Sequence, residues 1–325
     1  MLLELADFVA EHDLDKEEYA DPIEIVADVI MQNLFISDNA ILVTLLRKKL
    51  HEEFSMQINN MYQPDQTSEI ILRIKSNEVH IQVKDNKDVQ ISDSINLNTE
   101  VIYIDDPFVL DTLKSPYYFS ARNPTSHREH LNLLLRSKAE GSAVRGAIGE
   151  IIASKKLEAV LAKLGTVVQG EMVQNRGGSI AYKESGMDAP LDLGNLSAGL
   201  KTFALIKTLL FNGSLEEKGT IVLDEPEIHL HPEWQLIFAE LIVLLQKEFQ
   251  MHILVNTHSP YFLEAIEVFS AKHGIADQCR YYLADNKGQS SIFVDVTDNL
   301  ESLYSKLAYP LQTLEDIRYT EDEDG

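Results

Sequence analysis

The sequence predicts an α/β fold with a parallel central sheet, and two patterns in its second half carry this prediction. The short apolar runs "TIVLD" and "HILVNTHS" predict strands, and "PEWQLIFAELIVLLQKEF" between them predicts a helix. A strand, a helix and a second strand of this length form a βαβ unit, in which the two strands pair in parallel. Side chains at the carboxyl ends of such strands meet at one edge of the sheet, where ligands of open α/β sheets bind.

The first half of the chain predicts helices and β-hairpins. Apolar residues at spacings of three or four predict one long helix from Asp38 to Tyr62. The runs "EIILRI" and "EVHIQV" predict a hairpin, and "EVIYID" predicts a further strand. A second helical stretch is expected from Ser126 to Leu164.

The segments around the βαβ unit complete the expected architecture. "TVVQGEMVQ" and "SIAYKES" predict a hairpin that turns at "NRGG", and "LSAGLKTFALIKTLLF" predicts a helix. Strands at "RYYLAD" and "SIFVDV" lead into a last helix and an acidic tail, "LEDIRYTEDEDG", that we expect to fray. We divide the chain into a helical and hairpin part, residues 1–165, and a part with the βαβ unit and the acidic tail, residues 166–325.

The composition fits a folded protein of the cytoplasm. Hydrophobic residues make up 45% of the 325 residues, which is enough to build a core. No apolar run reaches the roughly 18 residues of a membrane span, and the first residues lack the layout of a signal peptide, so we expect no membrane partner. The single cysteine, Cys279, fits a reducing compartment and is expected to be a small core residue.

The net charge of −24 argues against indiscriminate nucleic-acid binding, but one stretch is locally basic. From Lys114 to Lys156, basic residues outnumber the acids Glu129, Glu140 and Glu150. The basic residues of this stretch are Lys114, Arg122, Arg128, Arg136, Lys138, Arg145, Lys155 and Lys156. They predict either a surface that faces a polyanion such as nucleic acid or, alternatively, helices with solvated basic faces.

Three polar side chains are expected to converge at the carboxyl edge of the sheet. Asp224 and Glu225 end the first strand of the βαβ unit, and His258 follows the second. Asp224 can hold a hydrated Mg²⁺, Glu225 can orient or deprotonate water, and His258 can contact a γ-phosphate or the attacking water. The alternatives are a helix cap for Asp224 and a turn-stabilising role for His258. Because the three occur together after two apolar strands, we favour nucleotide hydrolysis.

These residues resemble the motifs of ABC-type ATPases. The segments "LSAGLKTF", "IVLDEPEIHLHP" and "ILVNTHSP" are similar to the soluble branch that includes chromosome-maintenance, recombination-repair and overcoming-lysogenization-type proteins. The resemblance is good from Thr166 to Asp298. It makes Asp224 the Walker B aspartate, Glu225 the catalytic glutamate and His258 the switch histidine.

The resemblance also implies residues that act across a dimer. Ser197, Gly199 and Lys201 would belong to the signature that contacts ATP held on a partner, and His229 and His231 would lie in the D-loop region at the dimer face. It implies an ABC-type P-loop ATPase fold with a mixed or parallel central sheet, helical additions and β-hairpins. ATP and Mg²⁺ would be the cofactors. The resemblance further implies a homodimer or larger oligomer and a separate effector such as a nuclease. It also implies a role in antiviral defence or DNA repair.

The phosphate-binding half of such a site is missing from these residues. Walker A, GxxxxGK[ST], does not occur in the sequence. The nearest stretch, "GNLSAGLKT", has one extra residue, which on a helix turns Lys201 by about 100° from where a phosphate-binding lysine projects. We therefore expect a fold that is incomplete at the amino terminus, and a chain that binds ATP poorly when alone.

Two other functions stay open. The chain could be a non-hydrolysing pseudo-ATPase that keeps the fold and the dimer surface as an interaction module. It could also be a metal-dependent hydrolase, since HxH at a strand end can bind zinc. The metal cluster would then consist of Asp224, Glu225, His229, His231 and His258.

Overall fold

The structure, a computed structural model, describes most of the chain. The described residues are 38–55, 57–62, 65–74, 77–92, 100–114, 124, 126–136, 158–174 and 179–323. The "NRGG" turn and much of the basic stretch lie outside them. The chain has two compact units, Met1–Asn96 and Leu97–Gly325. The boundary expected at residue 165 falls inside the second unit.

The described residues of the first unit form one helix and a three-stranded antiparallel sheet. Helix α1 spans Asp38–Glu53, and strands β1 (Ser68–Ile74), β2 (Asn77–Lys84) and β3 (Asp88–Ile91) follow in spatial order. The predicted β1–β2 hairpin is confirmed. Leu50, Val83 and Val89 form the small core.

The first helix is shorter than predicted, because polar contacts draw the chain away after Glu53. Ser55 adopts a left-handed φ of 49°. Asn86 Oδ1 then accepts hydrogen bonds from the Ile58 and Asn59 amides, both at 2.6 Å. The buried Asn59 side chain bonds in return to the Asn86 amide at 2.6 Å. The apolar spacing continued to Met61, but these contacts hold the segment against the β2–β3 turn.

The second unit is built on a parallel sheet with the order β4-β8-β9. Its strands are β4 (Val101–Ile104), β8 (Thr220–Asp224) and β9 (His252–Asn256). Both pairings are parallel, which confirms the predicted βαβ unit and adds "EVIYID" as its third strand. Ile102, Ile221 and Leu223 are fully buried on one face of this sheet.

Three helices of the second unit begin after residues whose side chains cap them. Helix α3 (Ala198–Phe211) is capped by Ser197 and α4 (Pro232–Phe249) by His231, while α5 (Pro260–His273) is capped by Ser259. Between them, the rings of Phe203, Phe238 and Phe262 form a continuous aromatic row, with centroids 5.4 Å and 6.3 Å apart. The row joins the three helices in one core.

Smaller elements complete the second unit. A 3₁₀ helix spans Pro107–Lys114, helix α2 spans His127–Arg136, and residues 158–165 are helical. Strands β5 (Glu171–Gln174), β6 (Ile180–Lys183) and β7 (Leu191–Asp192) form an antiparallel sheet, which confirms the second predicted hairpin.

The carboxyl-terminal elements are a hairpin and a long helix. Strands β10 (Tyr282–Lys287) and β11 (Ser290–Asp295) pair antiparallel, and α6 spans Glu301–Glu323. The Tyr304 hydroxyl, on α6, donates to Glu267 on α5 at 2.6 Å. The acidic tail that was expected to fray is helical as far as Glu323. Among the described residues, no helix is both long enough and apolar enough to span a membrane.

A buried carboxylate joins α4 to two neighbouring elements. Glu240 is 6% exposed and forms ion pairs with Lys163, with Lys272 at 2.7 Å and with His273 at 3.1 Å. Burial alone would raise the pKa of Glu240, but the hydrogen bonds from Lys163, Lys272 and His273 outweigh it and lower the pKa to about 2. The charged carboxylate therefore stabilises the packing of α4 against α5.

Replacing this carboxylate should lower stability in a pH-dependent way. Because the folded-state pKa lies below the ordinary value of 4.5, the stabilisation is fully present above pH 4.5 and is lost as the pH falls towards about 2. We expect Glu240→Gln to lower the free energy of unfolding by about 1–3 kcal/mol at pH 7, and by less at pH 3. Urea unfolding at both pH values measures this, with Glu248→Gln on the same helix as control. An equal loss at both pH values would contradict it.

Candidate functional site

The parallel register places polar side chains together at the carboxyl edge of the sheet. Asp224 is the last residue of β8 and lies opposite Asn256, the last residue of β9. The Asn256 amide donates to Asp224 Oδ1 at 3.1 Å, and the Tyr103 hydroxyl donates to Oδ2 at 3.0 Å. One acid at the end of the middle strand is thus oriented by both neighbouring strands.

Glu225 sits in a strained turn directly after β8. Its φ of 44° lies in the left-handed region, which is uncommon for a residue with a side chain. Its amide donates to the Asn256 carbonyl at 2.9 Å, which extends the β8–β9 pairing by one bond. Its carboxylate Oε1 lies 2.8 Å from Nδ1 of His258, and the side chains of this pair are 39% and 65% exposed. The turn therefore presents an acid and a histidine to solvent beside Asp224.

The end of β4 adds a second polar group to the same edge. Asp105 accepts hydrogen bonds from Nε and Nη2 of Arg128 at 3.0 Å and 2.6 Å. Burial raises the pKa of Asp105, but the Arg128 guanidinium outweighs this and the net pKa is lowered. A shallow pocket opens here. Its lining includes Asp105, Asp106, Thr202, Asp224, Glu225 and His229.

The residues of the segment that resembles the signature differ in their exposure to solvent. Ser197 is exposed, and its hydroxyl caps α3 by accepting from the Leu200 amide at 3.3 Å. Gly199 is buried where α3 approaches Trp234. Lys201 differs from the expectation, because its side chain is 2% exposed and its ammonium lies 2.7 Å from Asp111. It points into the core face of α3, so we leave it out of the nucleotide contacts.

His229 lines the same pocket as Asp224 and Glu225, but among the described residues neither histidine of the "HLHP" segment forms a hydrogen bond or ion pair with these acids. The His229 ring packs edge-on against Phe108, with centroids 5.2 Å apart, and His231 caps α4. In the part of the chain that the structure describes, no group of three or more His, Cys, Asp or Glu side chains is arranged to hold a metal ion. The metal-hydrolase alternative finds no support in the described residues.

Within the basic stretch, two of the described arginines are engaged inside the chain. Arg128 binds Asp105 and Asp106, and Arg136 donates to the Leu113 carbonyl at 3.1 Å. Arg122, Lys138, Arg145, Lys155 and Lys156 lie outside the described residues. Contact with nucleic acid through this stretch stays a prediction.

The sequence reasoning missed four residues of the edge. Tyr103 and Asn256 orient Asp224, and Thr257 bonds to the buried Glu227. The sequence held a signal for three of the four residues. Asn256 and Thr257 adjoin His258 in "NTHSP", and Glu227 follows closely in "DEPE". Tyr103 could be found only after β4 had been placed beside β8.

Comparison with known families agrees with this geometry. A family model described as "AAA domain, putative AbiEii toxin, Type IV TA system" matches residues 38–264, which is more than half of the chain. The chain belongs to this family. Membership confirms the predicted resemblance to soluble ABC-type P-loop ATPases, and with the observed parallel sheet it confirms the predicted fold class.

One curated relative and several solved structures resemble this AAA family member. An OLD nuclease of Thermus scotoductus is 33% identical over 86 residues, which are 26% of this chain and 16% of that protein. The match therefore covers less than a fifth of the relative's length. An Smc head bound to the C-winged helix domain of ScpA has a TM-score of 0.47 and 11% identity, over 80% of this chain and 87% of that one. The SMC head domain from Thermotoga maritima has a TM-score of 0.32 and 16% identity, over 71% and 73%.

The observed donors fit the Mg²⁺ and ATP that such ATPases use. Among the described residues, Asp224 accepts two neutral hydrogen bonds, from Tyr103 and Asn256, and its oxygens keep lone pairs for water molecules of a hydrated Mg²⁺. Carboxylate oxygens are the ligands that Mg²⁺ prefers. Glu225 and His258 lie beside it, at the same exposed edge.

The close approach at Gly199 makes a testable packing prediction. A Cβ built at this glycine would lie 3.1 Å from the Trp234 ring and 3.2 Å from the His229 carbonyl oxygen. Since α3 packs this tightly on α4, we expect Gly199→Ala to lower the free energy of unfolding by about 1–3 kcal/mol, as overpacking does. Gly165→Ala, where nothing lies within 4 Å, is the control. Urea unfolding that shows equal stability for the two variants would refute the close contact.

Proposed function

We propose that this chain is the signature and Walker B portion of a soluble ABC-type ATPase that hydrolyses ATP at the edge formed by Asp224, Glu225 and His258. One observation carries the proposal. Glu225 and His258 are in contact at 2.8 Å, next to Asp224, at the ends of two adjacent parallel strands. This is the placement that a γ-phosphate and its attacking water require.

Each residue has a distinct role in the proposed reaction. Asp224 holds a hydrated Mg²⁺ through water, and Tyr103 and Asn256 keep its carboxylate oriented. Bound with ATP, Mg²⁺ supplies charge neutralisation on the phosphate oxygens. Glu225 orients the attacking water and accepts its proton. His258 holds Glu225 in place and reaches the γ-phosphate side of the site.

The phosphate loop of the proposed site is supplied from outside these 325 residues, since the sequence contains no GxxxxGK[ST]. Closure of a dimer, or of a larger oligomer, would bring ATP held on one subunit to the signature of the other. The exposed Ser197 hydroxyl and the start of α3 are suited to this, because amides at a helix amino terminus favour phosphate. His229 and His231 are exposed, which supports the proposal that they face a partner in a dimer.

The proposed hydrolysis cycle controls a separate effector in the cytoplasm. The family description names a toxin, and the relative that matches over 86 residues is named a nuclease, which support a role in antiviral defence or DNA repair. Nucleic acid could be contacted through the Lys114–Lys156 stretch. The competing function is a non-hydrolysing interaction module, and it differs in one measurable property, the turnover of ATP.

ATP binding and turnover test the proposed site directly. We expect the 325-residue chain to bind ATP weakly, and a version extended upstream in its native reading frame to bind and hydrolyse it. Glu225→Gln removes the proton acceptor but keeps the shape, so it should lower kcat by about 10²-fold or more and leave ATP affinity within about twofold. Turnover in the presence of Mg²⁺, and nucleotide binding by calorimetry, measure the two quantities.

The controls separate the alternatives. Glu264→Gln, at an exposed position on α5, should behave as wild type. Accumulation of an ATP-bound dimer by Glu225→Gln, seen by light scattering, would support dimer closure. If neither form binds nucleotide, the interaction-module function replaces this one. Turnover by the short chain alone would show that it contains a phosphate-binding segment unlike Walker A.

A further inference from the structure

One buried acid at the site has no charged partner among the residues that the structure describes. In the described residues two acids are buried, Glu227 at 2% and Glu240 at 6% exposure. Glu240 is surrounded by two lysines and a histidine, whereas Glu227 forms no ion pair with any described residue. Burying a carboxylate without an opposite charge is unfavourable, because its hydration is lost and little replaces it. An acid at this position therefore needs a reason other than stability.

Glu227 bonds to the residue that lies between two site residues. Its Oε1 accepts a hydrogen bond from the Thr257 hydroxyl. The residue before, Asn256, donates to Asp224, and the residue after, His258, contacts Glu225. Three successive residues, Asn256 to His258, thus each contact one acid at the end of β8 or just after it. Of these contacts, the hydrogen bond to Glu227 is the most shielded from water, so solvent weakens it least.

Thr257 also belongs to a closed ring of hydrogen bonds. Its oxygen accepts from the Ser259 amide at 3.1 Å, and the Ser259 hydroxyl donates to Gln235 Oε1 at 3.0 Å. Gln235 Nε2 then donates to the carbonyl oxygen of Leu230 at 3.2 Å and, more weakly, to that of Glu227 at 3.5 Å. The ring connects the start of α5, the first turn of α4 and the segment 225–231.

We propose that Glu227 is a positioning residue: through Thr257 it holds His258 against Glu225, and through the ring it ties this pair to the segment that carries His229 and His231. The inference rests on the proposed function, because the position of Glu225 and His258 affects a rate only if ATP is hydrolysed there. A displacement at the exposed His229–His231 segment is transmitted by the ring to the Glu225–His258 pair. The contact with a partner and the rate of hydrolysis are thereby linked.

A change in the ring should alter the rate without altering ATP binding. Thr257→Val keeps the shape of the side chain but removes both hydrogen bonds of the hydroxyl, so His258 loses its fixed position. We expect kcat to fall by about 10- to 100-fold, as for other residues that orient a reacting group, while KM for ATP changes by less than about twofold. Thr257→Ser keeps the hydroxyl and should restore kcat to near the wild-type value.

The experiment combines turnover with hydrogen exchange. Turnover of ATP with Mg²⁺ is measured for wild type, Thr257→Val, Thr257→Ser and Glu227→Ala, in the form of the protein whose wild type hydrolyses ATP. Deuterium uptake by the peptide spanning 256–263 is measured in the 325-residue chain, without nucleotide. We expect uptake to be at least about twofold faster in Thr257→Val than in Thr257→Ser, because the Ser259 amide loses its acceptor.

The outcomes distinguish this inference from the proposed function. If the wild type does not hydrolyse ATP in any form, the proposed function is wrong. Faster exchange in Thr257→Val would in that case still support the ring of hydrogen bonds. Unchanged exchange in that variant overturns the ring. Faster exchange together with an unchanged kcat overturns the positioning role. A loss of kcat in Thr257→Ser as large as in Thr257→Val also overturns it, because the hydroxyl would then not be the group that matters.

Discussion

The parallel, in-register pairing of β8 with β4 and β9 is the constraint on which the rest of the site depends. The pairing ends at Asp224 and Asn256, so both strands leave the sheet at the same level. The amide of the next residue, Glu225, can therefore still donate to the Asn256 carbonyl. A shift of one residue would turn every side chain to the other face, burying Asp224 and exposing Leu223. The buried Ile221 and Leu223 make such a shift unfavourable. The apolar core therefore fixes the position of Asp224 and Glu225 along the strand direction.

Packing also decides which residues of the signature segment can face solvent. The start of α3 lies so close to α4 that a Cβ at Gly199 would be only 3.1 Å from the Trp234 ring. This contact sets the rotation of the helix, which turns Lys201 inward to Asp111 and leaves Ser197 outside. The lysine keeps a partner in Asp111 and lies 4.9 Å from the Phe108 ring, so its charge is compensated although it is buried. The function of a motif residue thus depends on the helix face as well as on its place in the motif.

The sequence predicts the fold better than it predicts the site, and particular residues show why. The βαβ unit and both predicted hairpins follow from local apolar patterns, which is why they could be assigned from the sequence. The end of α1 could not, since it depends on contacts of Asn59 with Asn86, far along the chain. Tyr103 is similar, because its bond to Asp224 joins residues that only the sheet order brings together. Long-range hydrogen bonds leave no periodic trace in a sequence.

The backbone at Glu225 adopts a conformation that stability alone does not favour. A residue with a side chain in the left-handed region loses about 1 kcal/mol or more relative to glycine, which adopts this φ freely. Glycine there would keep the amide bond to Asn256 and the turn bond from Ile228, since both use only backbone atoms. It would remove the carboxylate that contacts His258. Stability alone would favour glycine, so we attribute the glutamate to its carboxylate. In the same way, we attribute the burial of Glu227, which forms no ion pair with any described residue, to its bond to Thr257.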